Sequence, residues 1–198
     1  MKGLVLIVSI AGVALLILVI YLVQRRIEQQ RQAAYQQFCD ARGYRYVARR
    51  PGTEKPYAGV VRLFNRGSQH RWRDEISGQF GGTPFTAFEY LYTISTGKSS
   101  ATYKFAMIRW EDPGVQLPQF ALAPEGFFQR VGQLFGAQDI DFPEDRAFSH
   151  EYVLKGTDEA AVQALFTPAV RQVLAASAGQ KIAGAGADLF WWQERSLP

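Results

Sequence analysis

Two histidines, one cysteine and a crowd of acids near residue 140 are the side chains here with the chemistry to act on a substrate or hold an ion. His70 and His150 lie 80 positions apart, and neither has a second histidine at helical spacing or a cysteine nearby. A zinc site built on them is therefore not expected. Cys39-Asp40 has no histidine beside it in sequence, and a Gly-x-Ser-x-Gly elbow is absent, so nothing nominates a nucleophile. Asp139, Asp141, Glu144 and Asp145 offer oxygen ligands. A calcium loop, however, needs a central glycine and a terminal glutamate, and this stretch has no such glycine and carries Pro143. It reads as a solvated turn. Gly184-Ala185-Gly186 lacks the third glycine of a dinucleotide loop and precedes a strand pattern, so it reads as a hairpin turn.

Arg62, Arg66 and His70-Arg71-Trp72-Arg73 could grip phosphates and stack bases. No nucleic-acid fold signature accompanies them, and they read as a solvated basic loop facing lipid or a protein. Two weak binding candidates remain. Glu89 interrupts the aromatic strand pattern Pro84 to Ile94 as a buried acid, and His150 is the second histidine. No catalytic residue, metal or cofactor is expected.

The elements that would position these residues begin at a membrane. Gly3 to Val23 is an unbroken run of 21 uncharged residues followed by Arg25 and Arg26. At ~1.5 Å rise it spans roughly 31 Å, the thickness of a bilayer core. A secretory signal has a shorter apolar region of about 7–15 residues, so a retained transmembrane helix over 3–23 is expected. Arg25, Arg26 and Arg31 outweigh Lys2 across the span and place the C-terminal domain in the cytoplasm. The lone Cys39 excludes an intrachain disulfide framework. No two small residues of the span are four apart, so the close-packing dimer pattern is missing.

Residues 24–43 read as a juxtamembrane helix stopped by Gly43, whose Tyr35 and Phe38 would dock on the domain beyond it. Residues 44–198 form one domain, and 26 of the 27 aromatic residues lie beyond the span. Val60 to Phe64 reads as a short strand. Glu75 to Phe80 and Pro84 to Ile94 flank Gly81-Gly82 as a hairpin, and Ala101 to Trp110 completes an antiparallel meander. The pattern Pro84 to Ile94 is apolar on both faces, as a central strand requires. Gln119 to Leu122 and Ala147 to Lys155 read as further strands. Helices are expected over Glu125 to Phe135, over Asp158 to Phe166 behind a Thr157 cap, and from Thr167-Pro168 to Gly179. A last hairpin joins Lys181 to Ala183 with Asp188 to Glu194. Strands followed by helices without regular alternation predict an α+β domain with about three helices.

Charge is split along the chain. Residues 24–73 carry 12 Lys/Arg against 3 Asp/Glu, while residues 74–198 carry 9 against 15. The basic part therefore adjoins the bilayer, where each basic residue gains roughly 1 kcal/mol from anionic headgroups.

The stretches Phe38, Gly43-Tyr44-Arg45-Tyr46, Gly82 to Thr93, Gln138 to Phe142 and Gly156 to Ala160 with Ala164-Leu165-Phe166 carry a resemblance. Together they resemble a family of uncharacterised bacterial single-pass membrane-anchored proteins. The resemblance implies a bacterial source and an anchor-plus-domain plan, and it carries over no catalytic or binding residue. The expectation is a non-enzymatic domain held at the cell membrane. Its expected contacts are the bilayer, anionic headgroups at Arg25, Arg26 and Arg31, and a membrane or cytoplasmic protein. A motif-less membrane-tethered enzyme and a pilin-like subunit are the alternatives. A pilin-like subunit would carry an acid early in its apolar run, and none interrupts Gly3 to Val23.

Overall fold

The computed structural model describes residues 2–49, 57, 59–128 and 138–194, with side chains for all of these except 2–10, 62 and 138. The chain divides into two compact units, Met1–Tyr46 and Val47–Pro198.

The first unit is dominated by one helix, α1 (Lys2–Asp40), of 39 residues. The apolar run and the polar segment after it are thus one continuous helix. Its end is closed by a Schellman pattern, in which the Tyr44 N–H donates to the Cys39 carbonyl at 2.9 Å. The ring of Phe38 meets that of Tyr44, and Tyr35 stacks on Tyr46. These aromatics of α1 thus fold onto the residues just after the helix. Among the described residues no helix is long and apolar enough to cross a membrane. Side chains of α1 are described from Ala11, and residues 11–23 reach only about 20 Å.

The second unit is an α+β fold on one nine-stranded sheet. Its strands are β1 (Arg45–Arg49, of which 47–49 fall in this unit), β2 (Ser68–Phe80), β3 (Thr83–Ser95), β4 (Ser100–Glu111), β5 (Leu117–Pro124), β6 (Gln138–Asp139), β7 (Tyr152–Gly156), β8 (Ile182–Gly186) and β9 (Asp188–Glu194). The spatial order is β1-β2-β3-β4-β9-β8-β5-β7-β6. The C-terminal hairpin β8–β9 is therefore inserted between β4 and β5. Every described pairing from β2 through β6 is antiparallel.

The β2–β3 hairpin turns through Gly81 and Gly82, both at positive φ (60° and 84°), with Phe80 opposite Thr83. Two consecutive positive-φ residues match the twist of the flanking strands, and glycine adopts that geometry without steric cost. In β3 every residue from Phe88 to Thr93 is buried, the signature of a central strand covered on both faces.

Alternation along β5 sends neighbouring residues to opposite faces and so defines two cores. Ala121 and Ala123 join a cluster with Phe64, Trp72, Phe88, Tyr90, Phe105, Met107, Phe190 and Trp192. Phe120 and Leu122 join a second cluster with Phe142, Phe148, Tyr152, Leu154, Val162 and Phe166. Three short helices supply much of the second: α2 (Arg146–Glu151), α3 (Glu159–Leu165) and α4 (Pro168–Ala175). Burying each such aromatic or aliphatic side chain contributes about 1.5–3 kcal/mol.

Several sequence expectations are corrected here. Residues 62–65 form a 3-10 turn rather than a strand, which lets consecutive Leu63 and Phe64 both be buried. The segment expected as a strand over 147–155 begins as α2, because the Asp145 carboxylate accepts the Phe148 N–H at 3.2 Å and caps a helix there. Asp158, not Thr157, caps α3, accepting from the Ala161 N–H at 3.0 Å. The expected helix Glu125 to Phe135 falls mostly outside the described residues.

Candidate functional site

The stretch His70 to Arg73 is strand, not loop. Arg71 is exposed, Trp72 is buried and stacks on Phe88 with ring centroids 3.7 Å apart, and Arg73 is half-buried. His70 Nδ1 lies 2.6 Å from the Tyr90 hydroxyl, which donates to the Leu63 carbonyl at 3.2 Å. The aromatic residue in the basic run, Trp72, thus belongs to the core.

Glu89 is 5% exposed, as the strand pattern implied. Its carboxylate meets Lys104 Nζ at 3.1 Å across the β3–β4 ladder, and Arg73 stands opposite it on β2. A buried acid flanked by bases of neighbouring strands reads as an ion pair holding the sheet. His150 is exposed in the last turn of α2. The two candidates are not brought together: α2 packs on β7, and β3 and β7 are five strand steps apart, about 24 Å. Asp139 pairs with Lys155, while Glu144 and Asp145 turn to Arg171. Among the described residues no three His, Cys, Asp or Glu side chains come together as a metal site. Arg25 and Arg26 are exposed on α1, and Arg31 pairs with Glu28 at 3.0 Å.

Sequence reasoning missed a groove at the end of the sheet. Because β8–β9 sits between β4 and β5, the β4–β5 connection must cross the β8–β9 turn. The Asp112 N–H donates to the Ala187 carbonyl at 2.9 Å, and the Asp112 carboxylate accepts the Gly114 N–H at 2.9 Å. This pinned loop and the tip of the β2–β3 hairpin enclose an open cavity of about 410 Å³. Phe80, Trp110, Val115, Leu117 and Leu189 line it, with Asp112 as its acid. Phe80 is 72% exposed and Val115 39%.

Comparison with family models, curated proteins and solved structures returned no match.

The groove opens onto more apolar surface. Phe85, Trp110 and Leu189 form one cross-strand row, and Ala87, Ile108, Trp191 and Ile182 the next. All seven are half-buried. Size, a mostly apolar lining and a few polar groups, here Asp112 and Thr83, are properties of a binding pocket. Nothing in it pairs a nucleophile with a base. One signal could have found it in sequence: Phe80 abuts the Gly-Gly turn, where a polar residue is the norm.

Three phenols in the two cores are held protonated. Burial, and secondarily Tyr92, pushes the Tyr90 hydroxyl well above its ordinary range, and burial first does the same for Tyr92 and Tyr152. A raised folded pKa gives stability that is full below the ordinary phenol value of about 10 and is lost as pH rises through the folded value. Ultraviolet titration is expected to show these three of the nine tyrosines ionising only together with alkaline unfolding. Nine phenols titrating in one step near pH ~10 in a still-folded chain would contradict the burial.

Proposed function

We propose that the chain is a single-pass membrane protein whose α+β domain is a non-enzymatic binding module at the cytoplasmic face. The observation that carries this reading is the 21-residue uncharged run, which sits inside one unbroken helix ending at Asp40. A helix of ~58 Å is nearly twice the length a bilayer core takes up, so its polar half has room to emerge. Arg25, Arg26 and Arg31 then lie where anionic headgroups attract them. The motif resemblance to membrane-anchored bacterial proteins supports the same plan. The domain supplies a groove with a mostly apolar lining, which suits binding.

Alkaline carbonate washing of membranes is expected to leave the protein in the pellet, and Leu15→Arg to move it to the supernatant. Arginine in mid-span costs about 2.5–3.5 kcal/mol of insertion. Release of the unaltered chain by carbonate would remove the anchor from this reading. Orientation needs an introduced reporter, because Cys39 is fully buried and burial raises its thiol above the usual range. A cysteine at exposed position 98 (Lys98→Cys), in the turn between β3 and β4, is accessible instead. A membrane-impermeant maleimide is expected to spare it in intact spheroplasts and label it after lysis. Labelling of intact spheroplasts would put the domain outside.

A further inference from the structure

We infer that α4 is an acid-released lid, which leaves the second core when Glu144 and Asp145 are protonated while the sheet stays folded. Charge is what seats this helix. Of its eight residues only Arg171 and Leu174 are buried, and Val170 and Val173 are exposed. Its apolar hold on the core is thus a single leucine. The Arg171 guanidinium meets Glu144 at 3.1 Å and Asp145 at 2.9 Å, both on the segment that leads into α2. Its remaining contacts, the Phe166 carbonyl and the Phe142 ring, carry no charge. A second tether, donated by the Tyr152 hydroxyl to the Leu174 carbonyl at 3.2 Å, is neutral as well.

The neighbouring charges do not take over this role. On α2, Arg146 and His150 are exposed, and Glu151 lies by the Tyr152 hydroxyl. Asp139 pairs with Lys155 of β7, and Asp141 is exposed. On α3, Asp158 accepts the Ala161 N–H and Glu159 the Gln163 amide. Lys181, beyond α4, reaches the Gly179 carbonyl. Among the described residues Glu144 and Asp145 are therefore the anions that Arg171 meets. Protonating both leaves a guanidinium at 5% exposure with no counter-charge. That penalty exceeds what burying one leucine contributes, so the guanidinium goes to water and takes α4 with it. The bond from Arg171, then that from the Phe148 N–H, holds the Asp145 carboxyl below the usual range, and release therefore begins below pH ~4. Once undocked, a helix of this length is too short to persist alone.

The test is amide hydrogen exchange of the full chain in zwitterionic-lipid nanodiscs, or in buffer if carbonate releases it. Rates at pH ~7 and pH ~3.5 are each divided by the intrinsic rate at that pH. Residues 168–176 are expected to lose protection in acid by on the order of tenfold or more, while residues 88–94 of β3 keep theirs. The Arg171 N–H, which donates to the Thr167 carbonyl at 3.0 Å, is the sharpest single reporter. Glu144→Gln with Asp145→Asn mimics the protonated pair and keeps an acceptor for the Phe148 N–H, so it should open α4 already at neutral pH. Arg171→Met removes the charge that drives release. Its α4 should be less protected at neutral pH and fall no further in acid. Equal protection of α4 at the two pH values, or loss in β3 together with α4, would overturn the inference. So would the same acid fall in Arg171→Met, or a double variant as protected at neutral pH as the unaltered chain. The comparison on the unaltered chain decides even where a variant does not fold.

Discussion

Gly67→Ala is expected to destabilise the domain by about 3 kcal/mol, a fall of roughly 6–12 °C in Tm for a chain of this size. Gly67 lies between the 3-10 turn and β2 with φ at +69°. A Cβ there would stand 2.5 Å from the Thr93 carbonyl oxygen and 2.9 Å from Tyr92 Cδ2. Thr93 is buried in β3 and paired to Thr102 on β4, so the carbonyl cannot retreat without disturbing the centre of the sheet. The left-handed backbone costs an alanine about 1–2 kcal/mol and the overpacking about 1–3 more. Gly82→Ala isolates the first cost, because φ there is +84° but a Cβ meets nothing within 4 Å. That variant is expected to lose only about 1–2 kcal/mol. Equal losses in thermal melts of the two variants would show that close approach to β3 is not what requires Gly67.

The consequence reaches the first core. Gly67 lets the chain turn tightly from Leu63-Phe64 into β2, and Phe64 contacts Trp72, Tyr90 and Phe190. These rings fix the face of β3 opposite Glu89. Burial is the chief cause of the raised Tyr90 phenol, so a shifted 3-10 turn that lets water reach this hydroxyl beside the Leu63 carbonyl would bring it down toward its ordinary value in Gly67→Ala.

What was readable in sequence was local. The Gly81-Gly82 hairpin and the turn from Ser95 to Ser100, centred on Thr96-Gly97-Lys98, announce themselves by residue type, so the β2–β3–β4 meander follows from short-range chemistry. The two-sided apolar pattern of β3 likewise fixed its central place. Residues 146–151 were misread because six residues carry too little periodicity to separate a helix from a strand, and the decisive Asp145 cap is one side-chain contact. The run 60–64 is ambiguous for the same reason.

Apart from the apolar Phe80 beside the Gly-Gly turn, the groove left no mark in the sequence. Its walls come from three segments far apart in sequence, and only the insertion of β8–β9 between β4 and β5 brings them together. No local preference encodes a strand order of that kind. The same non-locality hid the partners of the acidic segment. Asp139 to Asp145 looked like a solvated turn, and only the placement of α4 shows that two of its acids grip a buried arginine.

That arginine carries the second large effect. Arg171→Met is expected to cost about 3 kcal/mol, because it removes a guanidinium that ties three segments together and leaves their acceptors without it. Arg171 is 5% exposed on α4. Its Nε donates to the Asp145 carboxylate at 2.9 Å, its Nη1 to the Phe166 carbonyl at 2.9 Å, and its Nη2 meets Glu144 at 3.1 Å, with the Phe142 ring beneath at 4.2 Å. Arg171→Lys should recover only part of the loss, since one ammonium cannot span the same acceptors. The bond from Arg171, then that from the Phe148 N–H, holds the Asp145 carboxyl below the usual range. A depressed folded pKa gives stability that is full above the ordinary value of about 3.9 and is lost as pH falls through the folded value. The gap in denaturation midpoint between the unaltered chain and Arg171→Met should therefore be widest near neutrality and narrow below pH ~4. A gap that stays constant into acid would mean that packing on Phe142, rather than the ion pair, is what Arg171 contributes.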